Sequence, residues 1–209
     1  MGRVWFTSDL HLKHAKVAEL RGFNSTEEHD QAIVDNWRSV VNPKADDQVW
    51  VLGDIAASAP GYALDVIHSL PGTKHLILGN HDAAHPMHRN AHHKLRQYLW
   101  AFESVAMAAR RRIEGEEVLL SHFPYRRDRH EARHSQWRLR DEGLPLLHGH
   151  THGEERLTLE GSTVDNPFGW LLGGKPTVEF HVGLDAWDMQ LVPLETVANA
   201  LYMARKAAE

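Results

Sequence analysis

A chain of 209 residues with 42% hydrophobic and 24% charged residues is long enough to bury a substantial core and ordinary in composition for a globular protein. Its formal net charge of −5 argues against a broadly basic nucleic-acid coat, and the absence of cysteine excludes disulfides, thiolate metal sites and cysteine nucleophiles. The first residues lack the basic-then-apolar pattern of a secretory signal and no apolar run approaches the ~20 residues that span a bilayer, so a single cytoplasmic domain over residues 1–209 is expected.

Arg3-Val-Trp-Phe-Thr7 is a β-branched and aromatic run that reads as a buried first strand, with Asp9 and His11 directly after it. In open α/β sheets ligands bind at that carboxyl edge. Ser25-x-x-Glu28 has the form of a capping box. The helix it opens runs to about Val40, with Ile33, Val34 and Trp37 on its apolar stripe and Asn42-Pro43 as its stop. Residues 48–52 form the second strand, followed at once by Gly53-Asp54. A helix over residues 62–70 ends at Pro71-Gly72, and residues 75–78 make the third strand, followed by Gly79-Asn80-His81-Asp82. This alternation with short connections predicts a layered α/β fold in which three strands deliver polar residues to one sheet edge.

A helix rich in His and Arg is expected over residues 85–100. A hairpin turning at Glu114-Gly115 follows, and its second strand ends in His122. Residues 125–143 are polar and Arg-rich, and Pro145-Leu-Leu147 then runs into His148-Gly149-His150-Thr151-His152. Glu160-Gly161 marks a second hairpin between residues 156–159 and 162–164, residues 169–174 read as a loop, 177–182 as a strand and 195–206 as an amphipathic helix.

Asp, Asn and His donors without thiolate suit borderline-to-hard divalent ions such as Mn²⁺, Fe²⁺ or Zn²⁺. Two ions about 3.5–4 Å apart need a shared carboxylate. Asp54, from the middle strand of the three, is the natural bridge. An imidazole such as that of His81 gives a proton to a leaving alkoxide near neutral pH. Asp82 is a candidate N-cap of the next helix, which does not preclude a further role. A segment that begins after His122 and returns at His150 must start and end at the site, so Arg126 and Arg127 are candidate phosphate contacts, against a solvated charged helix as the plainer reading. His14 is a phosphate contact or a surface residue. Most of the 17 histidines exceed what such a site uses. His85, His88, His92 and His93 read as a solvated helix face and His181 as structural, while His148, which alternates with His150 and His152, either supports the ligands or substrate or has no part in the site.

The ordered set Asp9-x-His11, Gly53-Asp54, Gly79-Asn80-His81-Asp82, His122 and Gly149-His150-x-His152 resembles the calcineurin-like metallophosphoesterase signature, complete over residues 9–152. Phe6-Thr-Ser-Asp-Leu-His11 and Val182-Gly-Leu-Asp-Ala-Trp187 are similar to its short phage and bacterial members. The resemblance implies a four-layer αββα sandwich with mixed sheets and a dinuclear metal site at the C-terminal edge of the strands. It implies that one ion takes Asp9, His11, Asp54 and His152, and the other Asp54, Asn80, His122 and His150. His81 would then lie near the scissile phosphate as general acid or transition-state stabiliser, with Asp82 orienting it.

The expected activity is hydrolysis of small phosphodiesters, 2′,3′-cyclic nucleotides being the first guess, by metal-hydroxide attack at a dinuclear centre. Mn²⁺ is the expected pair of ions, with Fe or Zn as alternatives. A nuclease or a phosphomonoesterase on the same centre is the runner-up, and a non-catalytic metal-binding scaffold is the third reading; loss of ligands or of His81 would mark a scaffold, and neither is seen. The expected partner is a small phosphodiester or nucleotide substrate, with no membrane and no stable nucleic-acid complex. Oligomeric state leaves no mark in the sequence. A phage-encoded member would work in the host cytoplasm.

Overall fold

The computed structural model describes residues 2–125, 133–160 and 177–208. Five strands form the first sheet: β1 Val4–Thr7, β2 Gln48–Val51, β3 Thr73–Ile77, β4 Ser104–Ala106 and, near the end of the chain, β10 Val192–Pro193. Their order is β10-β1-β2-β3-β4, with β10 antiparallel to β1 and the other neighbours parallel. The second sheet has the order β5-β6-β7-β9-β8, built from β5 Ala108–Ile113, β6 Glu116–Ser121, β7 Leu146–His148, β8 Leu157–Glu160 and β9 Thr177–His181. It too is mixed: β6, β7 and β9 are parallel, while β5 and β8 run antiparallel to their neighbours.

The period of two along a strand sets the layers. Trp5, Val51 and Leu76 join the core made with α2 Thr26–Val40, α3 Pro60–Ser69 and α4 Ala91–Ala101, where Ile33, Trp37, Leu64 and Tyr98 are buried. The next residue along each strand, Phe6, Leu52 or Ile77, faces the other way into a core shared with Val118, Leu120, Leu147 and Phe180 of the second sheet. Val197 and Leu201 of α5 Leu194–Ala208 belong to this second core. Helices, two mixed sheets and a closing helix thus stack as the αββα arrangement expected. Among the described residues no helix is long and apolar enough to cross a membrane.

Ser25 caps α2 as anticipated, its Oγ accepting the Glu28 N–H at 3.1 Å, and Glu28 reaches back to the Asn24 N–H. Pro60 starts α3 two residues before the sequence suggests, at a position where its missing N–H costs nothing. Three expectations need correction. The short helix α1 Ala15–Leu20 was not anticipated; six residues are too few for a periodic signal, and its cap is an imidazole, His14 Nδ1, which accepts the Val17 N–H. Helix α4 begins at Ala91 and not near residue 85, because Pro86 disfavours helical backbone at the residue before it. The run ending at Ile113 is two strands: β4 pairs with β3 in the first sheet, and β5 starts the second sheet two residues later. Glu114 and Gly115, both at positive φ, make the turn from β5 to β6. Glu160 of the expected turn is the last residue of β8, which pairs with β9; Gly161, the return strand at 162–164 and the loop at 169–174 lie outside the described residues.

Candidate metal centre

The loops that leave the strands are tied into one surface. Leu52 N–H donates to Thr7 O, Asp9 N–H to Gly53 O and His11 N–H to Asp54 O, so the β1 and β2 loops continue pairing beyond their strands. Gly149 N–H donates to His122 O, and Leu184 N–H to Ser8 O, which joins the edges of the two sheets. Leu10 and Leu12 are fully buried in the first core, while His11 between them faces Asp54. This alternation is bought with backbone strain: Asp9, His11, Asp54, His150 and His152 all have φ between 46° and 73°. Non-glycine residues seldom occupy that region, at about 1–3 kcal/mol each, and such strain clusters where function over-determines the backbone. Gly79 and Gly149 allow the close approach, since a Cβ on Gly79 would meet the Asp54 carboxylate and one on Gly149 the Ser8 hydroxyl.

Eight of the candidate residues converge. Asp9, His11 and His152 form one group and Asp54, His122 and His150 another; within each, the ligand atoms lie within 4.8 Å of one another. His11 Nε2 and His152 Nε2 face each other at 3.1 Å. Asp54 Oδ2 stands between the groups, 3.7 Å from His11 Nε2 and 3.4 Å from His122 Nε2. Asn80 Oδ1 adds a donor 3.1 Å from His122 Nε2. His81 sits at the mouth with its side chain 46% exposed, Nε2 4.0 Å from Asp54 Oδ2, and its backbone N–H donates to Asp54 Oδ1.

The charge balance fits a cation. Burial opposes ionisation of Asp54, but His122, His11 and His81 outweigh it and hold the carboxyl well below the ordinary carboxylate range. Asp9 is likewise held low, by His122 and His152 against its burial. Burial would lower His122, yet Asp54 and Asp9 raise it to about 9, and Asp185 and Asp9 raise His152 against its own burial. The compensating charge is thus carried by protons on imidazoles. Divalent cations bound among the same atoms would supply that charge and release the protons. His11, which burial takes down to about 3, already offers a neutral ring. The residues present therefore fit a pair of divalent ions in both donor type and charge.

Comparison with known proteins agrees. The model of the calcineurin-like phosphoesterase superfamily domain matches residues 3–177. The chain belongs to this superfamily. It is a hydrolase of phosphoester bonds whose His/Asp clusters can hold metal. It is 45% identical over 199 residues to the Gene 66 protein of Mycobacterium phage L5, covering 90% of this chain and 88% of that one. The Gene 66 protein of Mycobacterium phage D29 is 45% identical over 206 residues, 94% of each chain. The fold is shared with a protein of unknown function from Aquifex aeolicus, with a TM-score of 0.65 over 96% of this chain and 100% of that one at 20% identity.

Within this phosphoesterase the other candidates are placed as follows. Asp82 neither touches the His81 ring nor caps α4. Its fully buried carboxylate accepts the N–H groups of Gly79, Asp54 and Ile55, tying the β3 loop to the β2 loop. His14 caps α1 and packs its ring edge-on against His11 at 5.5 Å. Arg126 and Arg127 lie outside the described residues. The solvated helix face fails for His85, which is fully buried against Phe123 and Trp137 because the chain before α4 folds inward as turns. His88 holds the Asn80 carbonyl, its Nε2 at 2.9 Å. His148 is buried and stacks on His181 at 5.2 Å, and it is in neither group of ligand atoms.

Three residues escaped the sequence reading. Asp185 accepts from His152 Nδ1 at 2.9 Å, and Arg21 binds both oxygens of Asp185. His134 comes back over the site, its ring 5.7 Å from that of His150. A signal existed for Asp185, since Val182-Gly-Leu-Asp185 follows a buried strand just as the ligand loops do. Arg21 and His134 carried none.

Proposed function

We propose that this phosphoesterase hydrolyses small phosphodiesters, 2′,3′-cyclic nucleotides being the substrate class to try first, and uses Mn²⁺ in both positions. The observation that carries the reading is the single oxygen Asp54 Oδ2 between two ligand groups, with His81 open to solvent beside it. When bound, two divalent cations neutralise phosphoryl oxygens and acidify the attacking water. The chain's own residues do the remainder. Asp9 and Asp54 supply the negative charge that draws the ions, and together with His11, Asn80, His122, His150 and His152 they would hold them and so fix where the phosphoryl group lies. The His81 backbone is pinned to Asp54 Oδ1, so its ring stands at the mouth, able to give a proton to the departing oxygen.

A groove of about 640 Å³ beside His152 supports a small substrate with an uncharged organic part. Val17, Leu20, Leu184 and Met189 supply its apolar lining, and Glu154 and Asp188 line it as well, Asp188 standing 3.5 Å from the Arg156 guanidinium. Those carboxylates repel a second phosphate, which counts against a polynucleotide strand on that side and so against a stable nucleic-acid complex. The test is turnover of bis-p-nitrophenyl phosphate with Mn²⁺, beside a 2′,3′-cyclic mononucleotide, a linear dinucleotide and a phosphomonoester. The proposal expects both diester activities to vanish with chelator and in Asn80→Ala. Turnover of the monoester alone would replace diesterase by monoesterase, and no turnover in fully metallated protein would favour a scaffold.

A further inference from the structure

Arg21 lies at the end of α1 with its side chain only 5% exposed, and every N–H of its guanidinium is used. Nε and Nη2 grip Asp185 at 2.9 and 2.8 Å. Nη2 also donates to the Asp9 carbonyl at 2.7 Å, and Nη1 to the Leu10 carbonyl at 3.4 Å. The remaining Nη1 contact, at 3.0 Å, is to His29 Nε2. Guanidinium can only donate, so His29 Nε2 accepts and its Nδ1–H faces Asp30 Oδ1 at 2.9 Å. Asp30 in turn accepts the Lys13 N–H. One buried cation therefore fastens the loop carrying Asp9 and His11 to Asp185, and through helix α2 to the far side of the same loop.

Asp185 hands this order to a ligand. A carboxylate only accepts, so the 2.9 Å contact places a proton of His152 on Nδ1 and leaves Nε2, which faces His11 and Asp9, as the atom an ion would take. We propose that Arg21 and Asp185 are positioning residues that preform the Asp9/His11/His152 group, holding the tautomer and aim of His152 before an ion arrives. This rests on reading that group as a metal site. The second group is oriented differently: His122 Nδ1 donates to the Leu52 carbonyl at 2.7 Å, a backbone partner outside the reach of Asp185 or Arg21. The effect of losing the tether is therefore confined to one ion of the two.

The test is a Mn²⁺ titration followed by electron paramagnetic resonance of the free ion, on wild type, Asp185→Asn, Arg21→Lys and His152→Ala. Near-ultraviolet circular dichroism verifies that each variant is folded. The Asn is isosteric, and the Lys keeps the charge while losing the fork. One Mn²⁺ weakened about 10–100-fold in Asp185→Asn, less in Arg21→Lys, with the other ion unchanged, is the result expected. Wild-type affinity for both ions in folded Asp185→Asn overturns the tether. Equal weakening of both ions overturns it as well, since it would mark a general loss of structure. If His152→Ala still binds two ions tightly, the assignment of the metal site is itself wrong and the tether falls with it.

Discussion

The carboxylate of Asp82 accepts the backbone N–H of Asp54 at 3.0 Å, so the central carboxylate of the site is placed by a second, deeper one. Gly79 and Ile55 give it two more N–H groups. Asp82→Ala leaves three buried donors without an acceptor, each costing about 1–3 kcal/mol. We expect a loss of at least about 3 kcal/mol in urea unfolding. Asp82→Asn, which keeps an oxygen for two of the donors, should lose less. Wild-type unfolding of the Ala variant would show that other groups hold the β2 and β3 loops together.

Metal binding and protons are linked with a definite sign. His122, raised to about 9 by Asp54 against its burial, carries a proton at neutral pH that a bound cation must displace. Mn²⁺ affinity should therefore climb as pH rises toward about 9, by up to about tenfold per unit for each proton displaced, and level off above. Calorimetry at pH 7 in two buffers of different ionisation enthalpy measures the protons released. A heat independent of buffer would contradict the linkage.

The ligand loops were legible in the sequence for a physical reason. Each ligand follows directly on an apolar run, so finding the strands also finds the edge at which Asp9, Asp54, Asn80 and His122 are delivered. The tether was not legible, because Arg21 and Asp185 are 164 residues apart and meet only when the two sheets pack. His85 misled for a related reason. Its spacing from His88 and His92 is helical, but Pro86 breaks that helix before it starts and turns the ring inward. The split between β4 and β5 was hidden because one continuous β-type run serves both sheets.

Buried His85, which is in neither group of ligand atoms, makes a second statement about pH. Its Nδ1 accepts the Met87 N–H, and burial lowers its pKa to about 4. It is thus neutral in the fold, whereas the unfolded chain binds a proton below the ordinary histidine pKa of about 6.5. Its contribution to stability is present above about 6.5 and is lost as pH falls toward 4. His85→Asn, whose amide oxygen can replace Nδ1 as acceptor, should flatten the stability profile across that window, by at most about 1.4 kcal/mol per unit of separation. Unfolding in urea at a series of pH values measures this. An unchanged acid slope would mean that other groups set it.

The groove beside His152 makes the sharpest claim about substrate. Leu20 is 74% exposed, a large aliphatic side chain lining the same groove as His152, Glu154 and Asp188. If the organic part of the substrate lies there, Leu20→Ser should raise KM for a cyclic nucleotide several-fold. Its kcat should be little changed, because contact with an exposed leucine contributes on the order of 1 kcal/mol to ground and transition state alike. Glu154→Lys with Asp188→Lys should leave a nucleotide bearing one phosphate nearly unaffected. The same pair should improve kcat/KM for one bearing a further phosphate by about tenfold, the size expected of two solvent-screened charge reversals. The ratio of the two kcat/KM values is the measurement. If that ratio is the same in wild type and double variant, the organic part lies elsewhere and the groove plays no part in choosing the substrate.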